Sequence, residues 1–206
     1  MIVLIGKRLG IMVLTMFAVS LLLFLLLEFS PGSVATKVLG QFASEEQKNL
    51  WLEQRGYFEP VWYRYFAWAS NFITGDLGIS HRYKAPVADI LWPRLWNTAI
   101  LGFWTFALLI PISLALGVLA GMREGSKLDR TISVTSIITT SIPEFASAVF
   151  LSAIFVFGLK LLPGTSGMIG GFEFKQLVLP VLVLLIYDFG YVTRMTRASM
   201  AEVMTT

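Results

Sequence analysis

The sequence predicts an all-α integral membrane protein with about four transmembrane helices, and three observations predict it. Of its 206 residues, 56% are hydrophobic and only 14% charged, whereas a soluble domain needs about a quarter charged residues to cover its surface. Uncharged runs long enough to cross a bilayer recur along the chain. Lysine and arginine gather at those ends of the runs that alternate crossings place on one side.

The first run, residues 9–27, carries no charge and as a helix spans about 28 Å, close to the hydrocarbon thickness of roughly 30 Å. Residues 1–30 are therefore read as an N-terminal transmembrane helix, with Lys7 and Arg8 assigning its start to the cytoplasm. A cleaved signal peptide is the competing reading, since Ser33-Val34-Ala35 offers small residues behind a basic flank. The run exceeds the usual apolar core of roughly 7–15 residues, and Glu28 and Pro31-Gly32 intervene, so a retained helix is expected.

Residues 31–97 mix charges with tryptophan and tyrosine, and no run there is long enough to span. This segment is expected to be an α-rich domain on the periplasmic side. Ser44-Glu45-Glu46-Gln47 has the form of a capping box and predicts a short helix to about Gln54. Arg55-Gly56-Tyr57-Phe58-Glu59-Pro60 interrupts it, and residues 61–72 predict an aromatic-rich helix whose Trp62, Tyr65, Phe66 and Trp68 serve packing or headgroup-level contacts.

Residues 98–206 read as a membrane core with spans at 98–122, 131–159 and 176–193. Arg123, Lys127 and Arg130 follow the first of these, and Arg194 and Arg197 follow the last, so both ends are expected in the cytoplasm. Small residues Ala115, Gly117, Ala120 and Gly121, with the serines and threonines between Thr131 and Ser141, predict close helix packing within the chain or with another subunit.

Two acids fall inside predicted spans. Asp188 would cost about 2.5–3.5 kcal/mol at mid-membrane, and the apolar residues around it still carry the helix in. An ionisable group at that depth normally faces a bundle interior or a water-filled path, so Asp188 is a candidate for a substrate pathway. Glu144 follows Pro143, whose ring breaks the helical hydrogen-bond ladder, and is the second candidate. A structural hydrogen bond to a neighbouring helix is the alternative for both.

Several classes of chemistry find no support. The chain has no cysteine and a single histidine, His81, in the polar segment, so neither a metal site nor a catalytic residue is assigned. The stretch 164–171 is glycine-rich but lacks the Lys-Ser or Lys-Thr of a phosphate loop. The net charge of +3 comes from basic residues spread through the chain, which gives no patch for nucleic acid and fits loops facing anionic lipid.

The order of short motifs resembles the first permease subunit of the dipeptide, oligopeptide and nickel ABC importers. The residues are Lys7-Arg8, Pro31-Gly32, the loop motif Gly75-Asp76-Leu77-Gly78-Ile79-Ser80, Pro86-Val87, Arg94-Leu95, Asn97-Thr98, Pro111, Gly117 and Ala120. Asp129-Arg130, Ser141-Ile142-Pro143, Leu162-Pro163 and the stretch from Arg194 to Val203 continue the series. The resemblance implies a type I ABC importer permease fold, here partial. It further implies a sister permease, two ATPase subunits or domains that bind ATP and Mg2+, a periplasmic solute-binding protein, and an inner-membrane location. This chain itself would bind no cofactor.

By the same resemblance Arg194, Arg197, Ser199, Met200 and Glu202 approach the loop that couples to the ATPase, while Gly75, Asp76, Leu77, Gly78 and Ser80 form a periplasmic motif. Three positions depart from the family pattern: Ser33-Val34 after Pro31-Gly32, Glu28 where a basic residue is common, and Glu144 in place of a small or polar residue. The family continues beyond the position of Thr206 into a coupling segment and two further helices, so the core is expected to be incomplete at its C-terminus. A membrane-embedded enzyme or a structural assembly subunit without transport is the alternative function.

Overall fold

The computed structural model describes residues 2–29, 34–168 and 170–205, so the expected motif Pro31-Gly32 and the departure at Ser33 lie outside the described residues. The chain forms two compact units, Met1–Trp92 and Pro93–Thr206.

In the first unit, α1 (Ile2–Glu28) is the expected first span, extended at its start to include Lys7 and Arg8. Polar side chains on it are satisfied locally, as a helix in lipid requires: Thr15 Oγ1 donates to the Ile11 carbonyl at 2.8 Å. Three shorter helices follow, α2 (Val34–Leu39), α3 (Glu45–Glu53) and α4 (Val61–Ile73). The capping box forms as the sequence predicts: the Gln47 amide donates to Ser44 Oγ at 3.2 Å, and the Ser44 amide donates to Gln47 Oε1 at 3.1 Å.

The aromatic helix α4 packs against α1 through one side chain above all. Tyr65 is buried, its hydroxyl lies 2.8 Å from Ser20 Oγ, and its ring meets Phe17 and Phe24 edge-on at 5.8 and 5.4 Å. Arg64, one residue earlier, holds both carboxylate oxygens of Glu28 at 2.5 and 2.8 Å. Phe17, Ser20, Phe24 and Glu28 recur at helical spacing, so a single face of α1 carries the whole contact. Trp62 and Phe66 stay exposed.

In the second unit, α6 (Lys127–Ser141) and α7 (Glu144–Ser152) pack against α8 (Phe174–Thr205). The long helix α5 (Val87–Met122), which begins in the first unit, lies beside α8 as well. Ile100, Leu101 and Trp104 of α5 pack on Leu177 and Val181 of α8, and Gly117 and Gly121 meet Thr196 and Met200 further along. Residue numbers rise together along both helices, so they run parallel.

Helix lengths depart from expectation in a consistent direction. α5 starts at Val87 rather than at 98, and α8 continues to Thr205 rather than stopping at 193. At 1.5 Å per residue their 36 and 32 residues reach about 54 and 48 Å, well beyond a roughly 30 Å hydrocarbon core. Charges mark where a helix leaves the bilayer, not where the helix ends.

The span expected at 131–159 is not straight. α6 and the segment Glu144–Gly158 meet at 91°. Pro143 has no N–H to give to the ladder and restricts the residue before it, and Ile142 is extended at φ −85° and ψ 121°. The end of α6 is already softened by Thr139, Thr140 and Ser141, whose hydroxyls donate back to the Ser136 and Ile137 carbonyls. A π-helical segment, Ala153–Gly158, closes the second arm. Among the described residues, three helices are therefore long and apolar enough to cross a membrane, and the bent pair makes a fourth if counted as one span.

The small-residue reading of α5 is borne out within the chain for Gly117, Ala120 and Gly121, which are buried, while Ala115 is exposed. The tightest approach is on α8 itself. A Cβ on Gly190 would sit 2.2 Å from the Ser136 carbonyl oxygen and 2.5 Å from Thr139 Oγ1, and backbone cannot swing aside as a side chain can. Gly190→Ala is expected to destabilise the protein by about 1–3 kcal/mol, read as a lower thermal midpoint in detergent. Gly102→Ala, where a Cβ would meet nothing within 4 Å, should leave that midpoint unchanged or slightly raised.

Candidate functional site

The second unit contains a half-buried carboxylate on α8 and an ion pair at the α5–α6 turn. The carboxylate is Asp188. It lies three residues after Leu185 and seven after Val181, two residues of α8 that pack with Ile100, Leu101 and Trp104. It is half-buried and has neither a hydrogen bond nor an ion pair among the described residues. Glu144 is in a different setting: it is exposed in the first turn of α7, just past the bend at Pro143, and likewise carries no ion pair among the described residues. No contact joins the two acids.

The ion pair links Asp129 in the first turn of α6 to Arg197 on α8. Arg197 Nε and Nη2 donate to the two carboxylate oxygens of Asp129 at 2.5 and 2.7 Å. The same carboxylate accepts the Gly125 amide at 2.9 Å and the Ser133 hydroxyl at 3.2 Å. Ser126 caps α6 by accepting the Asp129 amide at 3.1 Å, which fixes the backbone from which the carboxylate projects. Asp129 is 4% exposed. Its lone pairs are filled by four donors, which is what makes a charge at that burial tolerable. Glu124 adds a longer contact to Arg197 at 3.5 Å.

The remaining residues of the expected coupling approach divide by face. Met200 is half-buried against Gly121. Arg194, Ser199 and Glu202 are exposed, and Arg194 Nε donates to the Gly190 carbonyl one turn back at 3.2 Å. The pairing of Arg197 with Asp129 is the feature the sequence reading did not find. Both residues lie within motifs it quoted, but 67 residues intervene and no local pattern relates them.

In the first unit, the motif Gly75 to Ser80 builds a closed loop between α4 and α5. Gly75 and Gly78 sit at φ +89° and +72°, where a side chain is strained. Asp76 Oδ1 accepts the Gly78 amide at 2.9 Å, which tightens the turn. The loop then doubles back: the Ser80 amide donates to the Ala85 carbonyl and the Val87 amide to the Gly78 carbonyl, both at 2.9 Å. Ser80 Oγ accepts the Tyr83 amide, and Leu77 is half-buried beneath. No metal-binding cluster of three or more His, Cys, Asp or Glu occurs among the described residues.

Removing one member of the Asp129–Arg197 pair strands the other. Arg197→Met and Asp129→Asn are each expected to cost about 3 kcal/mol, measured as a loss of thermal stability in detergent. The double variant should lose less than the sum of the two, because it leaves no unpaired charge behind.

Residues 113–206 match the family described as binding-protein-dependent transport system inner membrane component. Over 202 residues the chain is 32% identical to a probable peptide ABC transporter permease of Sinorhizobium fredii, covering 96% of this chain and 64% of that protein. It is 30% identical to the oligopeptide transport system permease AppB of Bacillus subtilis, over 90% of this chain and 61% of that one. It is 31% identical to the glutathione transport system permease GsiC of Escherichia coli, over 96% and 63%. The chain thus spans just under two thirds of the length of the curated relatives it matches.

Proposed function

Because the chain belongs to the peptide and oligopeptide permease family of binding-protein-dependent ABC transport systems, we propose that it lines part of the path by which a peptide, or a related small solute, crosses the inner membrane. The observation that carries the reading is the half-buried Asp188 on α8, without a partner among the described residues and at helical spacing from Val181 and Leu185. A carboxylate there is costly unless water or a passing solute reaches it. Glu144, exposed at the bend beside α7, is the second group proposed for the path.

In this reading a solute-binding protein delivers cargo at the periplasmic face, where the loop Gly75 to Ser80 stands, and the N-terminus of α1 is cytoplasmic. A sister permease supplies the other half of the path. Two ATPase subunits or domains bind ATP and Mg2+, and this chain binds neither. The exposed Arg194, Ser199 and Glu202 at the end of α8 lead toward the segment that meets them. Their motion reaches the path as a rigid-body displacement: α8 is locked to α5 by Gly117 and Gly121, and to α6 by Gly190 and the Asp129–Arg197 pair.

The test is ATP-dependent uptake of a labelled peptide into proteoliposomes holding the complete permease with its sister subunit, ATPases and binding protein. Uptake should require ATP and fall severalfold in Asp188→Asn, with assembly of the complex intact. A preparation in which no ATPase associates with the chain, or in which Asp188→Asn and Glu144→Gln together transport at the unaltered rate, would overturn the path assignment.

A further inference from the structure

The first unit carries a cleft that the transport reading does not use. It has a volume of about 610 Å³ and is bounded by the turn after α3, one face of α4 and the loop after Ile79. That size is in the range of small-molecule sites. Its charged lining is uneven. Arg55, Lys84 and the chain's single histidine, His81, face the cleft against one carboxylate, Glu59. Arg64 also lines it, but its charge is already held by Glu28.

Arg55 and Lys84 form no ion pair with any described residue. Arg55 is nevertheless placed: its guanidinium lies over the Trp51 ring at 4.3 Å, a stacking that occupies the flat face and leaves the N–H edge open to a ligand. His81 meets the same indole at 5.5 Å. Lys84 projects from a residue held at φ +54° by the bond from its amide to the Ser80 carbonyl. Three nitrogen donors are thus set around one opening by a stacked ring and a closed loop, while Tyr63 and Ile79 add apolar surface to the lining.

We propose that this cleft binds a small carboxylate-bearing molecule, its carboxylate between Arg55, His81 and Lys84 and its apolar part against Tyr63 and Ile79. The guanidinium fork fits a carboxylate at two points, and lysine and histidine complete the donor set. The donors are exposed, so binding is weak and salt-sensitive. The assignment stands apart from the transport reading, because it concerns equilibrium binding to one unit and not flux.

The experiment follows the His81 imidazole by NMR in the complete permease, histidine-labelled with carbon-13 and held in lipid nanodiscs, the signal being assigned by its loss in His81→Gln. N-acetyl-phenylalanine is titrated in, and its amide serves as a matched probe without the carboxylate. The acid should move the His81 signal saturably and the amide should not. Arg55→Gln and Lys84→Gln should each weaken the apparent affinity about two- to fivefold, as loss of an exposed charged contact does. A signal unmoved by the acid, moved equally by the amide, or saturating at the same concentration in both variants would overturn the proposal. Uptake in the same preparation reads the transport path separately.

Discussion

The closeness of backbone at α8 is the constraint on which the membrane core depends. Between helices in lipid there is no hydrophobic drive, since acyl chains are as apolar as leucine, and association rests on dispersion and on how near two backbones come. Gly117 and Gly121 let α5 reach the Thr193 and Arg197 carbonyls, and Gly190 lets α6 place its Ser136 carbonyl against α8. Ser113, Ser136 and Thr193 are among the most deeply buried side chains, and their hydroxyls have no hydrogen-bond partner among the described residues. These positions contribute small size rather than polar bonding, at a cost of about 1–3 kcal/mol for each unmet hydroxyl.

Close contact alone does not fix how far one helix has slid along another, and the Asp129–Arg197 pair does that at the α5–α6 turn. The Ser126 cap orients Asp129, the Gly125 amide and Ser133 hydroxyl fill its remaining lone pairs, and Arg197 on α8 can then meet it in one register only. Glu28 and Arg64 have the same relation in the first unit, where a two-point ion pair sets α4 along α1 and Tyr65 fills the contact between them. The Glu28 that departs from the family pattern is therefore bound into the packing of its own unit.

Much of this was legible in the sequence wherever the signal is local. The capping box at Ser44, the end of α3, the aromatic helix and the spans within α1, α5 and α8 follow from neighbouring residues, and they formed as expected. The ends of α5 and α8 did not, because a charged residue prevents immersion in lipid without preventing helix. Pro143 was visible as a break, but its 91° angle depends on Ile142 turning fully extended after three hydroxyl residues that bond back to their own helix. The two ion pairs were illegible for another reason. Opposite charges 36 and 68 positions apart are common in any chain, and only the fold selects which of them meet.

Asp188 was readable from sequence as an oddity, and the structure narrows what it can be doing. Its carboxylate has neither a hydrogen bond nor an ion pair among the described residues. Its stripe of α8 is otherwise apolar at Leu177, Val181 and Leu185. An ionised carboxylate in such a place is worth about 2.5–3.5 kcal/mol against insertion, and the surrounding close-packed helices could have excluded it with any aliphatic residue. A half-buried carboxylate with no partner among the described residues is a costly group to hold on α8, and for that reason the proposed path is built on it.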